Sequence, residues 1–366
     1  MTDSSGGGAT ALPMTRLETL VERGHPSRVG FFSVTTSALR SLMRATLRGL
    51  TFTSAASGIR LAEPTHWHGA GGAATMPAMP STRVGAILQR QGSVVFPGVY
   101  DTLSAKVVER AGFAMTFISG YSVAASAIGE PDLGLLTQTE IVERARRVCG
   151  SVSIPVIVDA DTGYGNPLNV IRTVNELIWA GAAGCFLEDQ VWPKKCGHMR
   201  GKRVIEREEY VNKVRAAVEA RAGRDFFIVA RTDALAAVSL DEAIARVTEA
   251  RAAGADASFV EAPESLAQMA EVGRRAPRPI VANMIENGRT PVLSRKELTQ
   301  MGFQLILYPL AGIFAAAKAL RDVYEKLKRD ETTDGMYDRL MTFGEFNDLI
   351  GVEQKYKLAE KFGVRD

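Results

Sequence analysis

Cysteine and long apolar runs are what this 366-residue chain has least of. Its three cysteines, Cys149, Cys185 and Cys196, form no C-x-x-C pair, which excludes a disulfide framework and a zinc site and points to a reducing compartment. No uninterrupted apolar stretch reaches the ~18 residues of a membrane helix, so no membrane partner is expected. The formal charge of +3 is missing from most of the chain. Residues 1–82 carry seven Arg, no Lys and four acids, leaving 37 of the 44 bases against 37 of the 41 acids in the remainder. A nucleic-acid binder carries its basic excess on the folded part, so that class is set aside. What remains is ordinary globular composition, 46% apolar and 23% charged.

Between Arg23 and Leu61 there is no Asp or Glu. Arg40, Arg44 and Arg48 recur every four residues among Leu39, Leu42, Met43, Leu47 and Leu50, the spacing of a basic amphipathic helix and the form of a transit peptide. Import into a mitochondrion or chloroplast is the expected address, with cytoplasm as the alternative. Asp3, Glu18 and Glu22 are unusual for such a leader, and Met14 and Met43 are alternative starts. Residues 64–82 run through Pro, Gly, His and Met without period, as a linker does.

Beyond residue 85 short β-branched or aromatic runs alternate with segments of helical period. Strands are expected at 94–100, 115–119, 155–160, 184–189, 226–231, 257–261, 279–283 and 304–308. Helical patterns lie near 102–111, 137–148, 167–180, 206–221, 240–252, 264–274, 294–300 and 312–328. Ala111-Gly112, Ala180-Gly181 and Ala253-Gly254 stop helices just before strands, where glycine takes the left-handed cap. Eight βα units in this length predict a (β/α)8 barrel. A doubly wound sheet would carry a Gly-rich phosphate loop after its first strand, and Pro97-Gly98-Val99-Tyr100-Asp101 is not one. The expected organisation is a disordered or transit-like leader and linker over 1–83, a catalytic barrel over 84–328, and a helical tail over 329–366. The tail, with helices near 342–349 and 353–361, is expected to pack on a neighbouring subunit.

Catalytic groups of barrels sit at the C-terminal ends of strands. Here those ends read Ser119-Gly120-Tyr121-Ser122, Asp159-Ala160-Asp161, Glu188-Asp189, Arg231-Thr232-Asp233, Glu261 and Asn283. Strand alternation would put Asp159 and Asp161 on one side. Carboxylates so crowded raise one another's pKa unless a cation neutralises them, and hard oxygen donors suit Mg2+ or Mn2+ better than zinc. Arg231 offers a bidentate fork to a substrate carboxylate, or an ion pair within the rim. The stretch Gln190 to Lys202 is polar, Gly-bearing and long for a βα loop, the character of a lid. Within it, Lys194, Lys195 and His198 flank Cys196 and would favour its thiolate or let it shuttle a proton. Cys149 and Cys185 lie in apolar contexts and read as inert core.

These motifs carry a resemblance. D-A-D-T-G-Y-G-N at 159–166, K-K-C-G-H at 194–198, S-G-Y-S at 119–122, L-E-D-Q at 187–190 and A-R-T-D-A at 230–234 resemble the isocitrate lyase / phosphoenolpyruvate mutase superfamily across residues 94–320. The text is most similar to its short lyases acting on 2-substituted malates, methylisocitrate or oxaloacetate. The resemblance implies a Mg2+-dependent carbon–carbon lyase that takes a small di- or tricarboxylic acid and assembles as a homotetramer or a dimer with exchanged C-terminal helices. It implies that Asp159 holds the metal directly, with Asp161 and Glu188 acting partly through water and Asp132 nearby. Ser119, Gly120 and Tyr121 would bind a substrate carboxylate or carbonyl, Arg231 the keto-acid carboxylate and Asn283 the far carboxylate. Cys196, beside Gly197 and His198 on a gating loop, would be the general acid. Two departures stand out. Phe117 replaces a Tyr sometimes assigned the base, leaving Tyr121 or metal-bound water for that role. Pro309 replaces a Ser found in oxaloacetate hydrolases, which lowers the weight of that activity. Oxaloacetate hydrolysis and a carboxyvinyl-carboxyphosphonate phosphorylmutase reaction remain the alternatives, and the loop cysteine argues against phosphorus chemistry.

Overall fold

Strands as short as three to six residues need neighbours to exist, and eight of them find each other in a ring. The structure is a computed structural model that describes residues 82–364; the leader expected over 1–83 falls almost wholly outside them. The strands are β1 Val94–Val99, β2 Thr116–Ile118, β3 Val156–Asp159, β4 Gly184–Glu188, β5 Phe227–Thr232, β6 Ala257–Val260, β7 Val281–Asn283 and β8 Leu305–Tyr308. All pairings are parallel, in the order β6-β5-β4-β3-β2-β1-β8-β7. A parallel bridge between Ser258 and Ile280 joins β6 to β7 and closes the ring. The architecture is the expected (β/α)8 barrel.

Alternation along the strands sorts the side chains. Phe96, Phe117, Ile157, Phe186, Val229, Phe259, Val281 and Leu307 pack together as one buried cluster, the barrel interior. Their immediate neighbours, such as Ile118, Val158, Leu187 and Ala230, belong to the cluster between strands and helices. A period of two then dictates that the next inward positions are Ser119, Asp159, Glu188, Arg231, Glu261 and Asn283. A polar crown thus caps an apolar plug at the C-terminal ends of the strands.

The helices follow their sequence patterns closely, for example α4 at Gln138–Cys149, α5 at Pro167–Trp179, α6 at Arg207–Arg221 and α8 at Leu240–Ala252. Gly112, Gly181 and Gly254 take φ of 84°, 92° and 105°, as the Ala-Gly stops required. Three short elements were not legible. The helix α1, Arg83–Gln91, buries Val84, Ile87 and Leu88 in the interior cluster and plugs one end of the barrel. A four-residue helix α3, Gly120–Val123, runs into a π-turn over Ala124–Ile128, and a single turn α7 spans Ala234–Ala237. The last two are too short to show a period, whereas α1 carries one, Val84, Ile87 and Leu88 recurring on a single face. After β8 the helix α11, Ala311–Asp330, carries no buried residue. Helices α12, Phe343–Ile350, and α13, Val352–Lys361, follow, with Phe343, Tyr356 and Phe362 exposed. Among the described residues no helix is long and apolar enough to cross a membrane.

Candidate active site

The polar crown and the loop between β4 and α6 enclose a cavity of about 40 Å³. Its floor is aromatic: Phe117 and Phe186 rings lie 4.6 Å apart, and Phe259 stands edge-on to Phe186 at 5.5 Å. Ser119, Tyr121, Asp132, Asp159, Arg231 and Asn283 bring polar groups to the walls, and Cys196, Gly197 and His198 form the roof. A space this size holds little more than water, so the loop lies closed over the crown here.

Asp159 is the last residue of β3, and both its oxygens face backbone amides: Gly120 N donates to Oδ2 at 3.3 Å and Asp161 N to Oδ1 at 3.3 Å. A Cβ on Gly120 would stand 2.9 Å from Asp159 Oδ2 and 3.6 Å from Asp161 Oδ1, so both carboxylates border one point. Alternation is not what brings Asp161 there. The strand has ended, and Asp161 sits at φ 46°, a left-handed conformation that turns its side chain back toward the crown. Tyr164 OH donates to Asp161 Oδ2 at 3.2 Å.

Lys194 overturns the expected flanking of the cysteine. Its ammonium is buried and lies 2.6 Å from Asp132 Oδ1 and 2.7 Å from Asp161 Oδ1, so its charge is spent on the acids. Cys196 is correspondingly not a thiolate. Burial first, then the charges of Asp132 and Glu261, outweigh His198 N–H and Lys194 and push the thiol up to about 11. It remains a proton donor at neutral pH. Tyr121 is pushed up as well, by burial and then by Cys196 and Asp132, and so stays protonated rather than serving as a base in this state.

The crown's acids show why a cation fits. Neither Glu188 oxygen has a hydrogen-bond donor; Arg231 Nη1 lies 3.2 Å from Oε2 at ion-pair distance only. Burial raises Glu188 well above the usual carboxylate range, with Arg231 opposing. Burial also lifts Asp161 to about 7; Lys194 works against that, while Asp159 and Asp132 add to it. The donor-less oxygens of Glu188, one strand over from Asp159, match a divalent cation of the Mg2+ type. Among the described residues no three His, Cys, Asp or Glu side chains group closely enough to share an ion directly, which is compatible with one direct carboxylate and others acting through water.

Arg231 does not present a free fork. Its Nε donates to Asp233 Oδ2 at 3.0 Å and its Nη2 to Oδ1 at 3.4 Å, while the guanidinium carbon sits 5.4 Å above the Phe259 ring. Of the two readings left open for it, the ion pair within the rim is what this closed state shows. Asn283 likewise turns its amide onto Glu261, Nδ2 lying 3.2 Å from Oε1. Burial resists ionisation of Glu261, but Arg231, His198 and Lys202 outweigh it and hold the carboxyl down at about 2. His198 Nε2 stands 3.2 Å from Glu261 Oε1, and its Nδ1 accepts from Arg289 N at 2.9 Å. Ser119 caps α3, its oxygen accepting from Ser122 N at 3.3 Å. Cys185 is fully buried, and burial pushes the Cys149 thiol up to about 12, as inert core requires. Sequence reading passed over Lys202 and the pairing of Asp189 with Asp233; a lysine in a polar loop carries no signal until its partner is known.

Comparison with known proteins accords with this geometry. The phosphoenolpyruvate phosphomutase family model matches residues 85–328. A carboxyvinyl-carboxyphosphonate phosphorylmutase, chloroplastic, of Arabidopsis thaliana is 50% identical over 285 residues, 77% of this chain and 84% of that one. The 2,3-dimethylmalate lyase of Eubacterium barkeri is 46% identical over 278 residues, 76% of this chain and 96% of that one. The structure of an oxaloacetate acetylhydrolase in complex with the inhibitor 3,3-difluorooxalacetate superposes with a TM-score of 0.73 at 35% identity, covering 77% of this chain and 97% of that one. The chain is an enzyme of the phosphoenolpyruvate mutase / isocitrate lyase superfamily, with named lyases among its near relatives.

Proposed function

We propose that the protein is a Mg2+-dependent carbon–carbon lyase that cleaves a 2-substituted malate or a methylisocitrate-type acid into an α-keto acid and a carboxylic acid. The observation that carries the reading is a protonated, buried Cys196 lining the same cavity as Asp159 and Arg231. Retro-aldol cleavage passes the proton of the substrate's tertiary or secondary hydroxyl to a basic oxygen of the crown, turns that carbon into the carbonyl of the keto acid as the adjacent C–C bond breaks, and leaves the electron pair on the carbon next to the departing carboxylate. That carbon must then receive a proton.

The residues divide the work. Asp159, with Asp161, Glu188 and Asp132 around it, would hold the cation, which supplies positive charge beside the oxygens that become negative. Gly120 N–H and the Ser119 turn position one carboxylate or carbonyl, and Arg231 adds a fixed cationic wall whose orientation Asp233 maintains. The thiol of Cys196 delivers its proton to the carbanion carbon, and the closed loop keeps water from doing so first. The apolar floor of Phe117, Phe186 and Phe259 receives an alkyl substituent better than a second polar group, which favours substituted malates over oxaloacetate.

The test is a substrate panel. With Mg2+ present, pyruvate should form from 2,3-dimethylmalate or 2-methylisocitrate faster than oxalate forms from oxaloacetate, and EDTA should stop it. Absence of keto acid from every member of the panel, with turnover of a phosphonate instead, would transfer the protein to the phosphorylmutase reading.

Two peripheral assignments complete the proposal. Residues 1–83 direct import into an organelle, supported by the acid-free, basic stretch between Arg23 and Leu61 and by the chloroplastic name of the Arabidopsis relative; a reporter carrying them that stays cytosolic would refute it. The tail 329–366 packs on a neighbouring subunit, supported by the exposed Phe343, Tyr356 and Phe362. Phe343 is 85% exposed and Phe362 71%. Deleting 335–366 should lower the assembly mass beyond the loss of the residues themselves.

A further inference from the structure

The loop after β4 carries three lysines with three different fates. Lys194 is spent on Asp132 and Asp161. Lys195 is turned onto the loop's own tip, its Nζ 3.5 Å from Arg200 O and 3.3 Å from Gly201 O. Lys202 reaches across the loop. Its buried ammonium donates to Gly197 O at 2.5 Å and to Asp233 Oδ1 at 2.6 Å. The first acceptor is the carbonyl next to Cys196, and the second is the carboxylate that orients Arg231.

Asp233 is itself built in. It is wholly buried, and its N–H donates to Asp189 Oδ1 at 2.8 Å. Asp189 Oδ2 accepts from Thr232 Oγ1 at 2.5 Å and from Arg246 Nη1 at 3.1 Å. Arg246 belongs to the outer helix α8. A chain of charge-assisted bonds thus runs from an outer helix through β4 and β5 to the roof of the cavity. The loop is hinged at a paired stem: Val191 N donates to Arg203 O at 2.9 Å, Ile205 N to Asp189 O at 2.9 Å, and Gln190 bridges Val204. Above that stem, the tip from 194 to 201 can lift while Lys202 stays close to the hinge.

The geometry points to Lys202 as a positioning residue and latch: its ammonium ties the Gly197 carbonyl to Asp233, so that loop closure places Cys196 and steadies Arg231 in one event. Lifting the tip by a few ångströms breaks the bond to Gly197 O, and the ammonium exchanges a short charge-assisted bond in a dry site for one to water. Closing restores it. The coupling runs through Asp233, which shares its two oxygens between Lys202 and Arg231. This inference rests on the lyase reading only for what the coupling serves; the latch itself is a property of the folded chain.

The experiment therefore uses no substrate. In the full-length protein, the rate of Cys196 alkylation by iodoacetamide is followed by mass spectrometry, with Cys149 and Cys185 as internal references. Lys202→Met, which keeps the stem and removes the donor, should raise that rate by at least about tenfold, the shift expected when a charge-assisted bond leaves an opening equilibrium. Cys149 and Cys185 should be unaffected, and Lys202→Arg should restore most of the protection. A rate for Lys202→Met within twofold of the parent, in a protein that melts at the parent temperature, overturns the latch. If Lys202→Met does not fold, Lys202→Gln is the second variant, and the same two outcomes decide. With a working substrate, kcat should fall in Lys202→Met while KM changes little, and failure of every substrate with an intact alkylation effect would count against the lyase reading alone.

Discussion

Replacing Cys196 by Ala should lower kcat for carbon–carbon cleavage by about two to four orders of magnitude, the range for loss of a positioned general acid. The thiol lines the cavity but is not among the groups proposed to hold the substrate's carboxylates, so KM should change little. A phosphoryl transfer at the same site would need no proton at carbon, and Cys196→Ala should leave it largely intact; that outcome would refute the lyase reading. The raised thiol gives the pH dependence its sign. Burial moves the group from 9.0 to about 11, so below pH 9 it is protonated whether the chain is folded or not, and it supplies its proton throughout. Between pH 9 and about 11 the unfolded chain ionises and the folded one does not, so this group destabilises the fold as pH rises and then levels off. Thermal melting should accordingly fall less steeply over that window in Cys196→Ala than in the parent.

Gly197→Ala should cost about two orders of magnitude in kcat without lowering the melting temperature. The Cα of Gly197 lies so close to Glu261 that an added methyl would meet its Cγ, Cδ and Oε1, each at 2.5 Å. Glu261 has nowhere to go, being wholly buried and held by Asn283, His198 and Arg231. The loop must yield instead, and a displacement near 1 Å at the residue beside Cys196 is enough to misplace the proton donor by that factor. Steady-state kinetics together with Cys196 alkylation distinguish the cause. A slow variant whose cysteine is as protected as the parent's would show that the loop still closes and that glycine is needed for another reason.

The polar crown explains why so much of this site was legible in the chain. A strand that ends in a polar residue two positions beyond a buried aliphatic or aromatic one sends that residue to the crown, because strand side chains alternate with a period of two. Phe117 and Ser119, Ile157 and Asp159, Phe186 and Glu188, Val229 and Arg231, Phe259 and Glu261, and Val281 and Asn283 all obey that rule. Six such ends among eight strands separated by helical patterns admit few closures other than a barrel.

The sequence alone determined the barrel, the strand ends that face its mouth and the loop that covers them, since these follow from local periodicity and chain order. Only the tertiary structure decided how the charges pair. It turned Lys194 away from Cys196 onto Asp132 and Asp161, engaged Arg231 with Asp233, brought Asp161 in through a left-handed turn, and joined Lys202 to the next strand. Partners such as Lys202 and Asp233 lie 31 residues apart, and ionisation depends on burial and on the nearest opposite charge, which are properties of distance in space. That is why adjacency in the chain left both a thiolate and a proton shuttle open at Cys196, while burial favours the thiol that a general acid needs.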